Sequence, residues 1–310
     1  MAATNRAKSN KRAEVIGEGF DGKSIDEIHK KGGINARVVE GMDVKEEDVG
    51  EEGRRGNEGV DEGMEGESTS QNNQISPSRA LPTPSCTKIP HSLANTIIHY
   101  AASNMTPQQT FNEISITARV LEKKSPCNFL VFGLGHDSPL WSALNHGGRT
   151  VFLEEDKAWM ETIRQKFPAL ESYHATYNTK VSQADHLLKL RREPDCTAVS
   201  DMKFSKCQLA LKSLPSVFYE VEWDLIMVDA PTGWIPEAPG RMAAIYTAGM
   251  AARARNEGET DVFVHDVDRV VEDKFSKTFL CEGYLKEQEG RLRHFTIPSH
   301  RTSLGTPFCP

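Results

Sequence analysis

The sequence predicts an α/β fold: a mostly parallel sheet, closed by a C-terminal antiparallel hairpin and preceded by a disordered N-terminal tail. Three observations carry this. Short apolar runs alternate with helix-period segments from about residue 88 onward, the pattern of a parallel sheet with crossover helices. The run Phe129 to Phe132 meets Gly133 and Gly135 and then Ser138-Pro139, which reads as strand, tight turn and helix start. Near the other end, two short runs flank Glu289-Gly290, a hairpin signature.

The elements follow in order. Ile89 to Tyr100 reads as a short helix. Thr106-Pro107 offers an N-cap and a first-turn proline for a second, with Phe111, Ile114, Ala118 and Leu121 on one face. The first strand is Asn128 to Phe132, and a helix from Ser138 to about Asn145 stops at Gly147-Gly148. Thr150 to Leu153 is the second strand, and Asp156 caps a helix with Trp159, Ile163 and Phe167 at apolar spacing. A third strand is expected at Tyr173 to Tyr177 and a short helix at Asp185 to Leu190. Residues 191 to 215 look like an insertion containing Cys196 and Cys207, which could be bridged in an oxidising compartment or stay as two thiols. Trp223 to Asp229 is a buried strand ending in an acid, followed by a Pro/Gly-rich loop, Ala230 to Gly240. A helix over Arg241 to Arg255, a fifth strand over Asp261 to Asp266 and a helix over Val270 to Phe279 lead into the hairpin, Tyr284 to Gln288 and Leu292 to Ile297. Five parallel strands with a closing hairpin make the S-adenosylmethionine-dependent methyltransferase form of the Rossmann fold.

Composition divides the chain. Residues 1 to 87 hold a single aromatic, Phe20, and acids crowd among glycines from Glu40 to Glu67. Such a segment cannot bury enough apolar surface to offset its chain entropy, so it is expected to be a disordered acidic tail. Residues 88 to 302 form the expected folded domain, and 303 to 310 a flexible C-terminus. No stretch reaches the length of about 18 apolar residues that a membrane-spanning helix needs. A net charge of −7 argues against general nucleic-acid binding.

In an open α/β sheet the ligand sits at the carboxyl ends of the strands, and the polar candidates cluster there. Gly133, Gly135, Asp137 and Ser138 form the turn that would cradle a nucleoside-containing cofactor. Glu154, at the tip of the second strand, could accept both ribose hydroxyls. Asp229, His265 and Asp266 end the central strands and are candidates for proton acceptance, or for holding a divalent metal. The glycine turn and Glu154 would also admit a nicotinamide-dependent oxidoreductase. Ser138, where that fingerprint wants Gly or Ala, and the terminal hairpin argue against it.

Longer motifs carry a resemblance. Val131-Phe132-Gly133-Leu134-Gly135-His136-Asp137-Ser138, Val228-Asp229-Ala230-Pro231-Thr232-Gly233, Glu237-Ala238-Pro239-Gly240-Arg241-Met242 and Asp261-Val262-Phe263-Val264-His265-Asp266-Val267 closely resemble the plant glucuronoxylan 4-O-methyltransferases. The likeness covers about residues 88 to 300. It implies methyl transfer from S-adenosylmethionine to O4 of glucuronic acid side chains on a polysaccharide, in the Golgi. It also makes metal stimulation a further expectation, and it admits arabinogalactan as acceptor or a non-catalytic role in xylan assembly. The family usually carries an N-terminal anchor; here the acidic tail stands in that region. An acidic sugar calls for arginine, and Arg241 is the first candidate to bind it, with Arg269 and Arg293 behind; Trp234 could stack on a sugar ring.

Because the tail has no apolar period with which to join a core, deleting residues 1–85 is expected to leave the melting temperature and the methyl-transfer rate unchanged. A large drop in melting temperature of the truncated protein would contradict this reading.

Overall fold

The computed structural model describes residues 89–104, 107–302 and 305–310. The expected tail, 1–87, lies outside the described residues, as does Thr106. Two helices precede the sheet: α1 (His91–Ala101) and α2 (Phe111–Lys124). The α/β alternation then runs β1 (Asn128–Phe132), α3 (Ser138–Leu144), β2 (Arg149–Glu154), α4 (Lys157–Lys166), β3 (Glu171–His174), α5 (Ala184–Leu188), α6 (Ser216–Glu220), β4 (Leu225–Val228), α7 (Met242–Ala254), β5 (Glu259–Val264) and α8 (Val270–Phe275). The hairpin β6 (Leu285–Glu289) and β7 (Leu292–Pro298) closes the sheet.

Strand order is β3-β2-β1-β4-β5-β7-β6. Strands β1 to β5 are parallel, and β7 runs antiparallel between β5 and β6. The chain therefore has the Rossmann-like arrangement with a terminal antiparallel pair that the sequence predicts. The order reverses between β1 and β4, and that switch point opens a crevice at the strand ends.

Strand alternation explains why both faces are covered. Phe129 and Val131 of β1 pack with Trp141, Ile163, Ile116 and Leu121 from α2, α3 and α4. Leu130 and Phe132 point the other way, into a larger layer with α7, Phe275, Phe279 and the segment before α6. Buried on both faces, the central strands read as continuous apolar runs, so their positions are legible in sequence.

Helix α2 differs from expectation. It starts at Phe111, and Thr110 caps it through a reciprocal capping box with Glu113. Its buried face is Glu113, Ile116, Thr117 and Leu121, while Phe111 is 83 % exposed. Helix α4 is capped by Asp156 as expected, but Met160 and Ile163 are its buried positions and Trp159 is half-exposed. Strand β3 falls earlier than expected, at Glu171–His174.

Two disulfides pin the periphery. Cys196–Cys207 closes the segment before α6, which is not a loose insertion: Met202, Leu209, Leu211 and Leu214 join the larger apolar layer. Cys281–Cys309 ties the C-terminal residues to the end of a π-helical turn, Ser276–Cys281. Phe308 then stacks on the buried Arg253 guanidinium at 4.0 Å and accepts a hydrogen bond from it. Residues 305–310 are thus tethered, where a flexible end is expected from sequence.

Cys196→Ser combined with Cys207→Ser is expected to lower stability by about 3 kcal/mol, the loop-closure effect for a short loop. Thermal denaturation reads this as a drop of several degrees. An unchanged melting temperature would mean the cross-link adds nothing.

Candidate active site

A cavity of about 620 Å³ opens at the switch point. Its walls come from the turn after β1 (Gly133 to Ser138), Glu154 at the end of β2, Asp229 just beyond β4, and Tyr100 and Trp159 from the helices. The turn is built for close approach. Gly133 has φ +127°, and a Cβ there would sit 3.3 Å from that of Ala230, so glycine is required. The Gly135 amide donates to Ser138 Oγ, closing the turn, so Ser138 organises the loop and Asp137 takes the cap position.

The cavity is anionic. Glu154 is buried; its oxygens accept from the amides of Leu134 (3.2 Å) and Asp156 (2.8 Å). Burial raises its pKa, offset in part by those amides. Asp137 accepts from Trp141 Nε1 (3.1 Å), and burial followed by the nearby charge of Asp229 pushes its pKa up. Two carboxyl groups, Asp137 and Asp229, therefore share one cavity, and the charge of the second shifts the first toward its neutral form.

Asp229 is held by three donors. Its Oδ1 faces His265 Nδ1 (2.9 Å) and the Arg241 guanidinium (3.2 Å), and its Oδ2 accepts from Gln109 Nε2 (3.2 Å). Burial raises its pKa, yet the hydrogen bond from His265 and the charge of Arg241 outweigh this and hold it below the usual carboxylate range. Asp229 is thus ionised, and it lines the cavity.

The other strand-end candidates sit behind it. His265 and Asp266 are buried and do not line the cavity. His265 bridges Asp229 and Glu113, whose Oε2 lies 3.8 Å from the unpartnered Nε2 of the imidazole. Glu113 is itself fixed by the amides of Thr110 and Arg291. Asp266 adopts the left-handed region, φ 60°, and receives Arg241 (2.8 Å), Arg269 (2.9 Å) and Arg291 (2.7 Å).

Arg241 and Arg293 differ from expectation. Arg241 is buried, paired to Asp229 and Asp266, and donates to the carbonyl oxygens of His265 and Pro231. No part of it is free for a substrate carboxylate. Arg293 is likewise buried, on Asp273, Ser276 and Gln288. Arg269 remains one-third exposed, and Trp234, 73 % exposed, is not a packed loop anchor.

One ligating atom of each of Asp229, His265 and Asp266 lies within 4.8 Å of the others, so these residues would hold a divalent ion, which would acidify a bound hydroxyl. The two carboxylates are paired with Arg241, Arg269 and Arg291, and His265 Nδ1 faces Asp229, so an ion must displace those partners.

Sequence reasoning missed Tyr100, Gln109, Glu113, Trp159 and Arg291. Tyr100 donates to the His136 carbonyl and Trp159 Nε1 to that of Leu134, each bracing the glycine turn from a helix. Only Glu113 had a local signal, the Thr110-x-x-Glu113 capping box.

Residues 112–295 match the family model described as IRX15/IRX15L/GXM. The chain is 66 % identical over 228 residues to glucuronoxylan 4-O-methyltransferase 3 of Arabidopsis thaliana, covering 74 % of this chain and 77 % of that protein. It is 51 % identical over 221 residues to arabinogalactan O-methyltransferase 2, covering 69 % and 76 %. Protein IRREGULAR XYLEM 15 is 38 % identical over 240 residues, covering 75 % and 74 %; both are from the same plant.

With Arg241 removed, Asp229 and Asp266 are left as buried charges short of a partner. Arg241→Ala is therefore expected to destabilise the fold by roughly 3–5 kcal/mol. Melting at the wild-type temperature, with only acceptor affinity changed, would restore its role as a substrate ligand.

Proposed function

The chain belongs to the IRX15/IRX15L/GXM family, and we propose that it transfers the methyl group of S-adenosylmethionine to O4 of glucuronic acid side chains of glucuronoxylan, in hemicellulose synthesis for the plant cell wall. One observation carries this: a single cavity joins the glycine turn and Glu154 to the ionised Asp229. The likeness to glucuronoxylan 4-O-methyltransferases supplies the acceptor.

In this reading Glu154 accepts the ribose hydroxyls and Gly133 to Ser138 line the nucleoside and amino-acid portion. Asp137 and Asp229 complement the sulfonium charge, which a neutral nicotinamide donor would not need. The reaction is an in-line displacement. The O4–methyl bond forms as the sulfur–methyl bond breaks, leaving S-adenosylhomocysteine and a methyl ether. The hydroxyl proton passes to Asp229 Oδ2. Asp229 is a weak base, held below the usual range by His265 and Arg241 despite its burial. It suffices because the hydroxyl becomes strongly acidic only as the new bond forms. His265 and Gln109 are positioning residues that fix the carboxylate. Positioning donor and acceptor together supplies most of the rate.

Arabinogalactan is the second acceptor; the lower identity to that relative ranks it behind xylan. Two disulfides fit an oxidising compartment such as the Golgi lumen. Among the described residues no helix is long and apolar enough to cross a membrane.

Glu154→Ala and Asp229→Asn separate the two halves of the site. Glu154→Ala is expected to weaken S-adenosylmethionine binding in titration calorimetry by up to roughly 1.5–3 kcal/mol per lost hydrogen bond. Asp229→Asn should nearly abolish kcat while affinity for S-adenosylhomocysteine, which has no sulfonium charge, stays within a few-fold, because its role as proton acceptor is realised in the transition state. Wild-type kcat in Asp229→Asn would remove it from the chemistry; unchanged affinity in Glu154→Ala would pass the ribose role to Glu155.

A further inference from the structure

The arginines around Asp266 form a layered arrangement. Asp266 is buried and its backbone is held in the left-handed region, an unusual conformation for a residue other than glycine. Its Oδ2 takes the buried Arg241 and also Arg269; its Oδ1 takes Arg291. Arg269 and Arg291 are 33 % and 38 % exposed, whereas the acids near them, Asp266 and Glu113, are almost wholly covered. The carboxylates therefore lie behind and the guanidinium groups in front. Arg269 is anchored through one nitrogen of its fork. Arg291 uses one nitrogen on Asp266 and another on the Gln108 carbonyl. Both keep exposed surface that faces outward.

The segments beside these two arginines matter as much. Arg269 lies against Gly233, in the loop that carries the exposed Trp234. Arg291 is bonded to Gln108, three residues before the exposed Phe111. A cationic pair is thus flanked by two segments that each present a bare aromatic ring, and the cavity with Asp229 opens beside Gln108.

We infer that Arg269 and Arg291 form a carboxylate clamp that selects a uronic acid and sets O4 as the methylated hydroxyl. This rests on the function proposed above and deepens it. Asp266, to which both arginines are bonded, has an oxygen within 4.8 Å of the ligating atom of Asp229. In a glucuronic acid, O4 stands on the ring carbon adjacent to the one bearing the carboxylate, while O3 and O2 stand one and two carbons farther on. A carboxylate seated on the pair delivers O4 to Asp229 and leaves the other hydroxyls out of reach. Guanidinium suits this because its planar fork matches carboxylate geometry. Asp266 acts as the fixed post that keeps two long, flexible side chains in place before the sugar arrives.

Binding can be read without turnover. With S-adenosylhomocysteine present, a xylo-oligosaccharide bearing one glucuronic acid is titrated against the same oligosaccharide with its carboxyl reduced to the alcohol. The wild-type protein is expected to favour the acid by about tenfold or more. Arg269→Gln and Arg291→Gln should each erase most of that preference, while S-adenosylhomocysteine affinity and melting temperature stay near wild type. Arg291→Lys, which keeps the charge and loses the fork, should recover only part. Product analysis by NMR should show 4-O-methylation falling in both glutamine variants. Wild-type discrimination in both variants would overturn the clamp while leaving the methyl-transfer reading intact. A wild-type protein that binds neither oligosaccharide would instead sink the acceptor assignment, and the clamp with it.

Discussion

A buried guanidinium between two strand ends organises this site. Arg241 stands at the start of α7 and reaches Asp229 beyond β4 and Asp266 beyond β5. Without these two acids Arg241 would be an uncompensated buried charge, so the three assemble together. That requirement fixes the spacing between two adjacent strand ends. It also places the ionised oxygen of Asp229 on the cavity side and turns the outer oxygens of Asp266 toward Arg269 and Arg291. His265 completes the unit by donating to Asp229, and Glu113 links it to α2 and to the β6–β7 turn. The terminal hairpin thus supplies part of the site as well as closing the sheet.

The two halves of the crevice have opposite electrostatics. On the side proposed for the donor, Asp137 and Asp229 share a partly apolar cavity. On the outer side, arginines are presented in front of buried acids. In the proposed reading, a cationic donor and an anionic acceptor are drawn to neighbouring places with their reacting atoms together. A neutral acceptor would have no use for the second feature.

The strands were legible because burial on both faces makes each a continuous apolar run, as in Phe129 to Phe132 and Leu225 to Val228. The turn and the acids ending the strands were legible because topology alone puts them at the crevice. The partners of those acids were not. Arg241 follows a Pro/Gly loop and reads as a ligand for an acidic sugar; only folding brings Asp266 to it from a strand 25 residues on. Glu113 had a visible capping box, but Thr106-Pro107 satisfied the same rules a few residues earlier. Arg291 and Gln109 reach the site through contacts distant in sequence, for which local patterns carry no signal. Cys281 and Cys309 lack any diagnostic spacing, so the tethered end was read as free.

In the proposed reaction one crevice brings a sulfonium methyl to O4 of a glucuronic acid. The most direct test is incubation of the full chain with isotopically labelled S-adenosylmethionine and unmethylated glucuronoxylan, with the labelled sugar then identified by NMR. Label is expected as 4-O-methyl glucuronic acid, formed in step with S-adenosylhomocysteine. Tight binding of S-adenosylmethionine with no label on any sugar, xylan or arabinogalactan, would contradict it and leave the fold serving assembly without catalysis.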